Sequence, residues 1–71
     1  MSDRLVDARG LEPPEPFELA MEALADLPRG AVLTLLLDRT PWPLLRILDR
    51  DGVRYEYEVR DDAVEVRIGG L

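Results

Sequence analysis

The apolar positions between Phe17 and Leu27 have the spacing of an amphipathic helix. They recur three or four residues apart, at Phe17, Ala20, Met21, Leu24 and Leu27. This spacing places apolar side chains on one helical face, with Glu18 and Glu22 on the other. Pro28 and Gly30 then end the pattern, because proline interrupts a helix and glycine suits the turn that follows. We therefore predict a first helix that begins at Phe17.

Two segments with the character of strands flank this helix. The first, Arg4–Ala8, is short and half apolar, and Gly10 follows it. The second, Ala31–Leu37, is an uninterrupted apolar run that ends at Asp38. A continuous apolar run of this length is typical of a central strand with neighbours on both sides. These two segments predict the first and second strands.

A second helix is predicted after Thr40. The Thr40 side chain suits the N-cap of a helix, and Pro41 suits the first helical position, where no N–H is needed. The apolar face of this helix consists of Leu44, Leu45 and Leu48. We expect the helix to end at Asp51–Gly52, because glycine readily takes the left-handed conformation found after helices.

The last third of the chain alternates between apolar and charged residues, which predicts two strands. The apolar residues share one face of each strand: Val53, Tyr55, Tyr57 and Val59, then Val64, Val66 and Ile68. A two-residue loop at Asp61–Asp62 makes the strands a hairpin and sets Tyr57 opposite Val66. The same register sets Glu58 opposite Glu65 on the other face, where like charges meet.

The order of these elements, βαβαββ, defines the expected fold. Alternation in the hairpin leaves one side of the sheet without apolar cover, so the helices lie on one face only. We predict an α/β fold of the α+β type, a two-layer sandwich with a mixed four-stranded sheet and two helices on one face. Residues 1–71 form a single domain.

Composition and charge exclude several function classes. The chain of 71 residues has no Cys and no His and a net charge of −6. Disulfides, thiolate zinc sites and cysteine or histidine catalysis are therefore absent. The acidic balance opposes binding to nucleic acid or to anionic membranes. No carboxylate cluster predicts an active site, so we expect a protein that is not an enzyme and that holds no metal or cofactor.

The basic residues and the first positions of the chain bear on its source and compartment. All nine basic residues are arginine, and Lys, Asn and Gln are absent. This composition fits a bacterial source with a GC-rich genome and is compatible with a thermophile. The chain has no apolar run of ~20 residues and no secretory signal at Met1–Arg4, so we expect a cytoplasmic protein.

Candidate binding residues lie in the two loops that follow the first two strands. If those strands are parallel, both loops emerge at the same edge of the sheet, where open α/β sheets usually bind ligands. The residues expected at this rim are Arg9, Glu12, Pro13, Glu15, Arg39, Thr40 and Trp42. The two arginines and the helix N-termini favour an anionic group, and Trp42 adds apolar contact area. The alternative is that Trp42 caps the core and that the arginines neutralise neighbouring carboxylates.

The first of these loops also carries a family resemblance. Residues Leu5–Pro16 resemble the D-x-x-G-L-x-C-P-x-P signature of TusA/SirA-like sulfur carriers, with matches at Asp7, Gly10, Leu11, Pro14 and Pro16. The βαβαββ order also fits that family. The resemblance implies a sulfur-bearing cysteine at position 13, where this chain has proline. The chain therefore resembles a Cys-less branch of the superfamily, a domain of unknown function.

These features together favour a small binding or adaptor module that keeps the sulfur-carrier scaffold without its chemistry. Two alternatives remain: an accessory component of a sulfur-relay or redox and respiratory metal-centre pathway, and a sensor of a small anionic ligand. We expect a protein partner. We also expect a homodimer, because Val32, Thr34 and Leu36 alternate with Leu33, Leu35 and Leu37 in the central strand, and one of these sets faces away from the helices.

Overall fold

A computed structural model of the chain describes residues 3–70 and contains six elements. In chain order they are β1 (Arg4–Asp7), α1 (Glu15–Asp26), β2 (Val32–Leu37), α2 (Trp42–Arg50), β3 (Tyr55–Val59) and β4 (Val64–Gly69). The predicted βαβαββ order is confirmed. The predicted strands at Arg4–Ala8 and Ala31–Leu37 each include one residue more than the observed β1 and β2.

The four strands form one mixed sheet in the order β1-β2-β4-β3. β1 and β2 are parallel, whereas β4 runs antiparallel to both β2 and β3. The predicted hairpin register is confirmed, with Tyr57 opposite Val66 and Glu58 opposite Glu65. β1 and β3 are the edge strands, and β2 and β4 occupy the centre, as the apolar run of β2 requires.

The core lies between the sheet and the two helices. Leu33, Leu35 and Leu37 of β2 are at most 4% exposed, and Val64, Val66 and Ile68 of β4 lie beside them. The predicted apolar face of α2 covers these strands with Leu44, Leu45 and Leu48, all buried. The Tyr55 hydroxyl donates a 2.9 Å hydrogen bond to Asp49, which ties the end of α2 to β3 and raises the pKa of the phenol.

The prediction for the apolar face of α1 was partly wrong. The helix begins at Glu15, and Ala20 and Ala23 are its buried residues. Phe17 and Met21, which were predicted on the same apolar face, are each 37% exposed. Small alanine side chains let the helix backbone approach the sheet closely, and this contact turns the larger Phe17 and Met21 toward the edge of the interface.

The predicted N-cap at Thr40 was also wrong. The helix begins at Trp42, and its N-cap is Pro41, with no side-chain hydrogen bond at the cap. Pro41 has φ −86° and ψ 72°. The Trp42 N–H donates to the Thr40 carbonyl over 3.0 Å, which closes an inverse γ-turn around Pro41. This turn, which the spacing of Thr40 and Pro41 does not reveal, delays the helix by one residue.

The face of the sheet away from the helices has an apolar half and a charged half. Val32, Thr34 and Leu36 of β2 are half-buried there, and Leu5 of β1 is 67% exposed. β3 and β4 contribute alternating charged residues to the other half. Among the described residues, no helix is long and apolar enough to cross a membrane.

Candidate functional site

A groove opens between the two loops that leave the carboxyl ends of β1 and β2. One loop runs from Ala8 to Pro14 and the other from Asp38 to Pro41. The groove has a volume of about 420 Å³. The parallel pairing of β1 with β2 puts both loops at the same edge of the sheet, which is where open α/β sheets place their ligands.

The first loop begins with an ion pair. The Arg9 guanidinium donates from Nε and Nη2 to the two carboxylate oxygens of Asp7, each over 2.9 Å. The Arg9 backbone N–H also donates to Asp7 Oδ1 over 3.1 Å. These bonds hold the pKa of the Asp7 carboxyl at about 2 and raise the pKa of Arg9. Arg9 is therefore engaged by its neighbour two positions earlier and does not line the groove.

The next residue of the motif joins the two loops. Gly10 has φ +80°, a conformation that L side chains rarely adopt. In this conformation its N–H donates a 2.8 Å hydrogen bond to Asp38 Oδ2 in the second loop. Leu11 then packs against the core. The Asp-x-x-Gly-Leu spacing thus has a local physical purpose: it turns the chain, anchors it to the second loop and packs the partly buried leucine against the core.

The walls of the groove are mainly apolar. Pro13, Pro14, Pro16 and Phe17 line the side of α1, and Pro41, Pro43 and Leu44 line the side of α2. Proline side chains lose no conformational entropy when they are covered, so a wall of this kind is already ordered before a partner arrives. The geometry suits an apolar segment that inserts between the two helix starts.

Four polar residues line the same groove: Glu12, Asp38, Arg39 and Thr40. Asp38 already accepts the Gly10 hydrogen bond. Arg39 differs from Arg9, because no ion pair joins it to a carboxylate within residues 3–70. Because the Arg39 guanidinium has no carboxylate partner among residues 3–70, it can contact one anionic group in the groove.

The structure brings together four of the seven residues predicted at the rim. Glu12, Pro13, Arg39 and Thr40 line the groove, whereas Arg9, Glu15 and Trp42 do not. Trp42 points toward β3 instead. Its ring stands edge-on to the Tyr57 ring, with 6.0 Å between centroids and an interplanar angle of 80°. The Trp42 side chain is 55% exposed.

Sequence reasoning missed the groove residues that looked like ordinary packing or turn residues. The helical spacing places Phe17 on the apolar face of the first helix, and the apolar run places Leu37 in the second strand. Neither Pro16 nor Pro43 has a predicted binding role. The one available signal was the concentration of prolines around both loops, with three prolines within the loops and two just inside the helices. Proline-rich loops beside parallel strands predict a rigid, apolar wall.

The groove offers recognition chemistry. Its polar groups are two carboxylates, one guanidinium and one hydroxyl, and no thiol or imidazole exists in the chain. Across residues 3–70 no three acidic residues converge on a point that could hold a metal ion. An apolar side chain between the proline walls and a carboxylate at Arg39 are the contacts that this arrangement supports.

Comparisons with known proteins agree with the fold. The family described as "Uncharacterized conserved protein (DUF2249)" matches residues 5–69, which include both loops of the groove. The crystal structure of the SirA-like protein from Desulfitobacterium hafniense is similar, with a TM-score of 0.77 and 32% sequence identity. That match covers 92% of this chain and 93% of the other. No curated protein matches the chain.

Proposed function

Since the chain belongs to the uncharacterised DUF2249 family and has a SirA-like fold, we propose that it is a small, non-catalytic binding or adaptor module. Pro13 stands where the sulfur-carrier motif has cysteine, and the chain has no other thiol. Sulfur transfer as a persulfide requires a thiolate. The loop between β1 and α1 therefore acts in recognition.

The observation that carries this proposal is the position of Pro13 in the wall of the groove. The replacement puts an apolar ring at the site where the resemblance implies a reactive sulfur. The same groove keeps a rigid loop, held by the bond from Gly10 to Asp38, and a cation at Arg39. These features support binding at a site that lacks the thiol of the sulfur carriers.

The partner that fits is a protein segment with an apolar side chain and a nearby carboxylate. The apolar side chain fills the groove between Pro13 and Pro43, and the carboxylate meets Arg39. Burial of one large apolar side chain contributes about 1.5–3 kcal/mol. A charge-assisted hydrogen bond to Arg39 adds specificity for the acidic group.

Site-specific photo-crosslinking tests this proposal. A photoreactive phenylalanine analogue replaces Phe17 in the groove, and in a second protein it replaces Val53. Both residues are 37% exposed, but Val53 follows the far end of α2. We expect a discrete protein adduct in native cells from position 17 and none from position 53. The adduct should decrease when Arg39→Gln is added. Equal adducts at both positions, or none at position 17, would contradict the proposal.

Arg39 favours one alternative, a sensor of a small anion. In that case inorganic phosphate or acetate raises the melting temperature of the native protein and has no such effect on Arg39→Gln. The position 17 analogue then forms no protein adduct. A second alternative, an accessory role in a sulfur relay or in a redox or respiratory pathway, rests on the SirA-like scaffold. The variant Pro13→Cys, incubated with a cysteine desulfurase, tests this alternative.

A further inference from the structure

The outer edge of β3 carries backbone groups that no other strand within residues 3–70 pairs with. The Gly69 N–H donates to the Arg54 carbonyl over 2.9 Å, and the Arg60 N–H donates to the Ala63 carbonyl over 2.8 Å. In an antiparallel ladder, every second residue of a strand pairs with the neighbour. The even-numbered residues from Arg54 to Arg60 therefore bond to β4. The N–H and C=O groups of Tyr57 and Val59 point to the free edge.

An exposed apolar surface borders this edge on the helix side of the sheet. Val59 is 65% exposed, Trp42 is 55% exposed and Tyr57 is 40% exposed. The edge-on contact between Trp42 and Tyr57 holds the two rings in a fixed arrangement. This surface, formed by Trp42, Tyr57 and Val59, lies beside the free backbone groups. An added strand would cover both at once.

The other side of the same edge is acidic. Glu56 and Glu58 point to the face away from the helices, and their side chains are 76% and 55% exposed. Arg67 lies 3.6 Å from Glu56, while Arg60 lies 3.2 Å from both Glu58 and Glu65. The carboxylates of Glu56, Glu58 and Glu65 thus share only the guanidinium groups of Arg60 and Arg67 in these ion pairs. The carboxylates nearest the edge have capacity for further cations.

These charges distinguish between possible occupants of the edge. If β3 paired with β3 of a second copy, the antiparallel registers that align at least three residues of the two strands are those centred on Glu56, Tyr57 or Glu58, and each sets a glutamate opposite a glutamate. A register centred on Tyr57 sets Glu56 against Glu58 of the other copy, and like charges in directly opposite positions are destabilising. A strand with basic residues at those positions gains favourable pairs instead. Charge complementarity therefore selects a foreign, basic strand.

We propose that the edge of β3 binds an extended segment of a partner protein in which basic and apolar residues alternate. The segment adds a fifth strand to the sheet, and its backbone pairs with Tyr57 and Val59. Its apolar side chains cover Trp42 and Tyr57, and its Lys or Arg side chains meet Glu56 and Glu58. This site lies outside the groove and does not depend on the groove's function.

Amide hydrogen exchange with synthetic peptides tests the proposal. The probe is a blocked peptide of alternating Arg and Val, and the control peptide has Glu in place of Arg. In physiological salt, the Arg-Val peptide should slow exchange at the Tyr57 and Val59 amides. The amides of Glu56 and Glu58 already bond to β4 and serve as internal references. Binding without protection at Tyr57 and Val59, or equal binding of the Glu-Val peptide, would overturn the proposal.

Two variants separate strand addition from nonspecific attraction to an acidic protein. Glu56→Arg with Glu58→Arg should weaken the Arg-Val peptide by roughly ten-fold or more, because two favourable cross-strand pairs become repulsive. Val59→Pro removes an outward N–H that β4 does not use, so the fold tolerates it while the peptide loses a hydrogen bond. If both folded variants bind the Arg-Val peptide as the native protein does, strand addition is excluded.

A groove variant keeps this test independent of the proposed function. Phe17→Ala changes the groove but not the edge of β3, so the Arg-Val peptide should bind it as it binds the native protein. If the photoreactive analogue at position 17 forms no protein adduct while the Arg-Val peptide still binds at the edge of β3, the groove proposal alone is refuted. Loss of peptide binding in Phe17→Ala would refute the edge proposal, because the two surfaces share no residue.

Discussion

Asp38 accepts a 2.8 Å hydrogen bond from the backbone N–H of Gly10, which lies 28 positions earlier in the chain. The bond joins the loop after β1 to the loop after β2. Gly10 can make it because its positive φ aims the N–H across the gap. The bond therefore fastens the first loop to the second, and both loops border the groove.

Removal of the Asp38 carboxylate should loosen the first loop. Asp38→Ala leaves the Gly10 N–H without its acceptor, and we expect a loss of about 1 kcal/mol in the free energy of unfolding. Faster amide exchange at Gly10 should accompany it. Asp38→Asn is the matched control, because its amide oxygen still accepts the bond. Equal exchange at Gly10 in all three proteins would show that the bond does not hold the loop.

The pair of Asp7 and Arg9 predicts an unusual titration. Arg9 holds the pKa of Asp7 at about 2, below its ordinary value of 3.8. Because the folded-state pKa is the lower one, the pair's contribution to stability is complete above 3.8 and is lost as the pH falls toward 2. A carbon NMR titration of the Asp7 carboxyl checks this midpoint. In Arg9→Gln the midpoint should rise toward 3.8, and an unchanged midpoint would remove Arg9 as the cause.

The replacement at Pro13 predicts how the chain behaves with sulfur donors. Incubation with a cysteine desulfurase and cysteine should leave the intact mass unchanged, because the chain has no thiol. Pro13→Cys places a thiol in the groove wall. If that variant gains sulfur from the desulfurase while a cysteine introduced at Val53 does not, the scaffold still docks sulfur-relay proteins. This outcome would favour the accessory role over an unrelated partner.

Trp42 and Leu44 differ in burial, so their replacement by alanine should lower the free energy of unfolding by different amounts. Leu44 is 1% exposed, so Leu44→Ala should cost about 2–5 kcal/mol through the cavity that it leaves. Trp42 is 55% exposed and contacts Tyr57 by its edge, so Trp42→Ala should cost about 1 kcal/mol. Chemical denaturation measures both. A larger loss for Trp42→Ala would mean that the ring supports the core.

The apolar half of the open sheet face predicts self-association. No layer within residues 3–70 covers Leu5, Val32 and Leu36 there, and burial against a second copy would remove them from water. We expect a homodimer by light scattering at high micromolar concentration. Leu5→Glu should shift it to a monomer without loss of fold, because Leu5 is 67% exposed. A native protein that is already monomeric would exclude this dimer.

The sequence by itself determined the elements whose pattern is local and repeated. The alternation from Tyr55 to Ile68 was enough for the hairpin register, because a shift of one residue would turn every apolar side chain to the solvent. The apolar run of β2 predicted a central strand, and β2 indeed lies between β1 and β4. Only its face with Leu33, Leu35 and Leu37 is buried, however, because the helices cover one side of the sheet. The four groove residues Glu12, Pro13, Arg39 and Thr40 followed from the parallel pairing of β1 and β2.

The directions of side chains near the ends of helices depend on tertiary contacts, so the sequence pattern alone could not predict them. Ala20 and Ala23 are the residues of α1 that are buried against the core, and in this rotation of the helix Phe17 lines the groove. The γ-turn at Pro41 set the start of α2 and turned Trp42 toward Tyr57. Helical periodicity states which residues share a face but not which neighbour that face meets. Such contacts depend on residues distant in sequence, and a local pattern does not contain them.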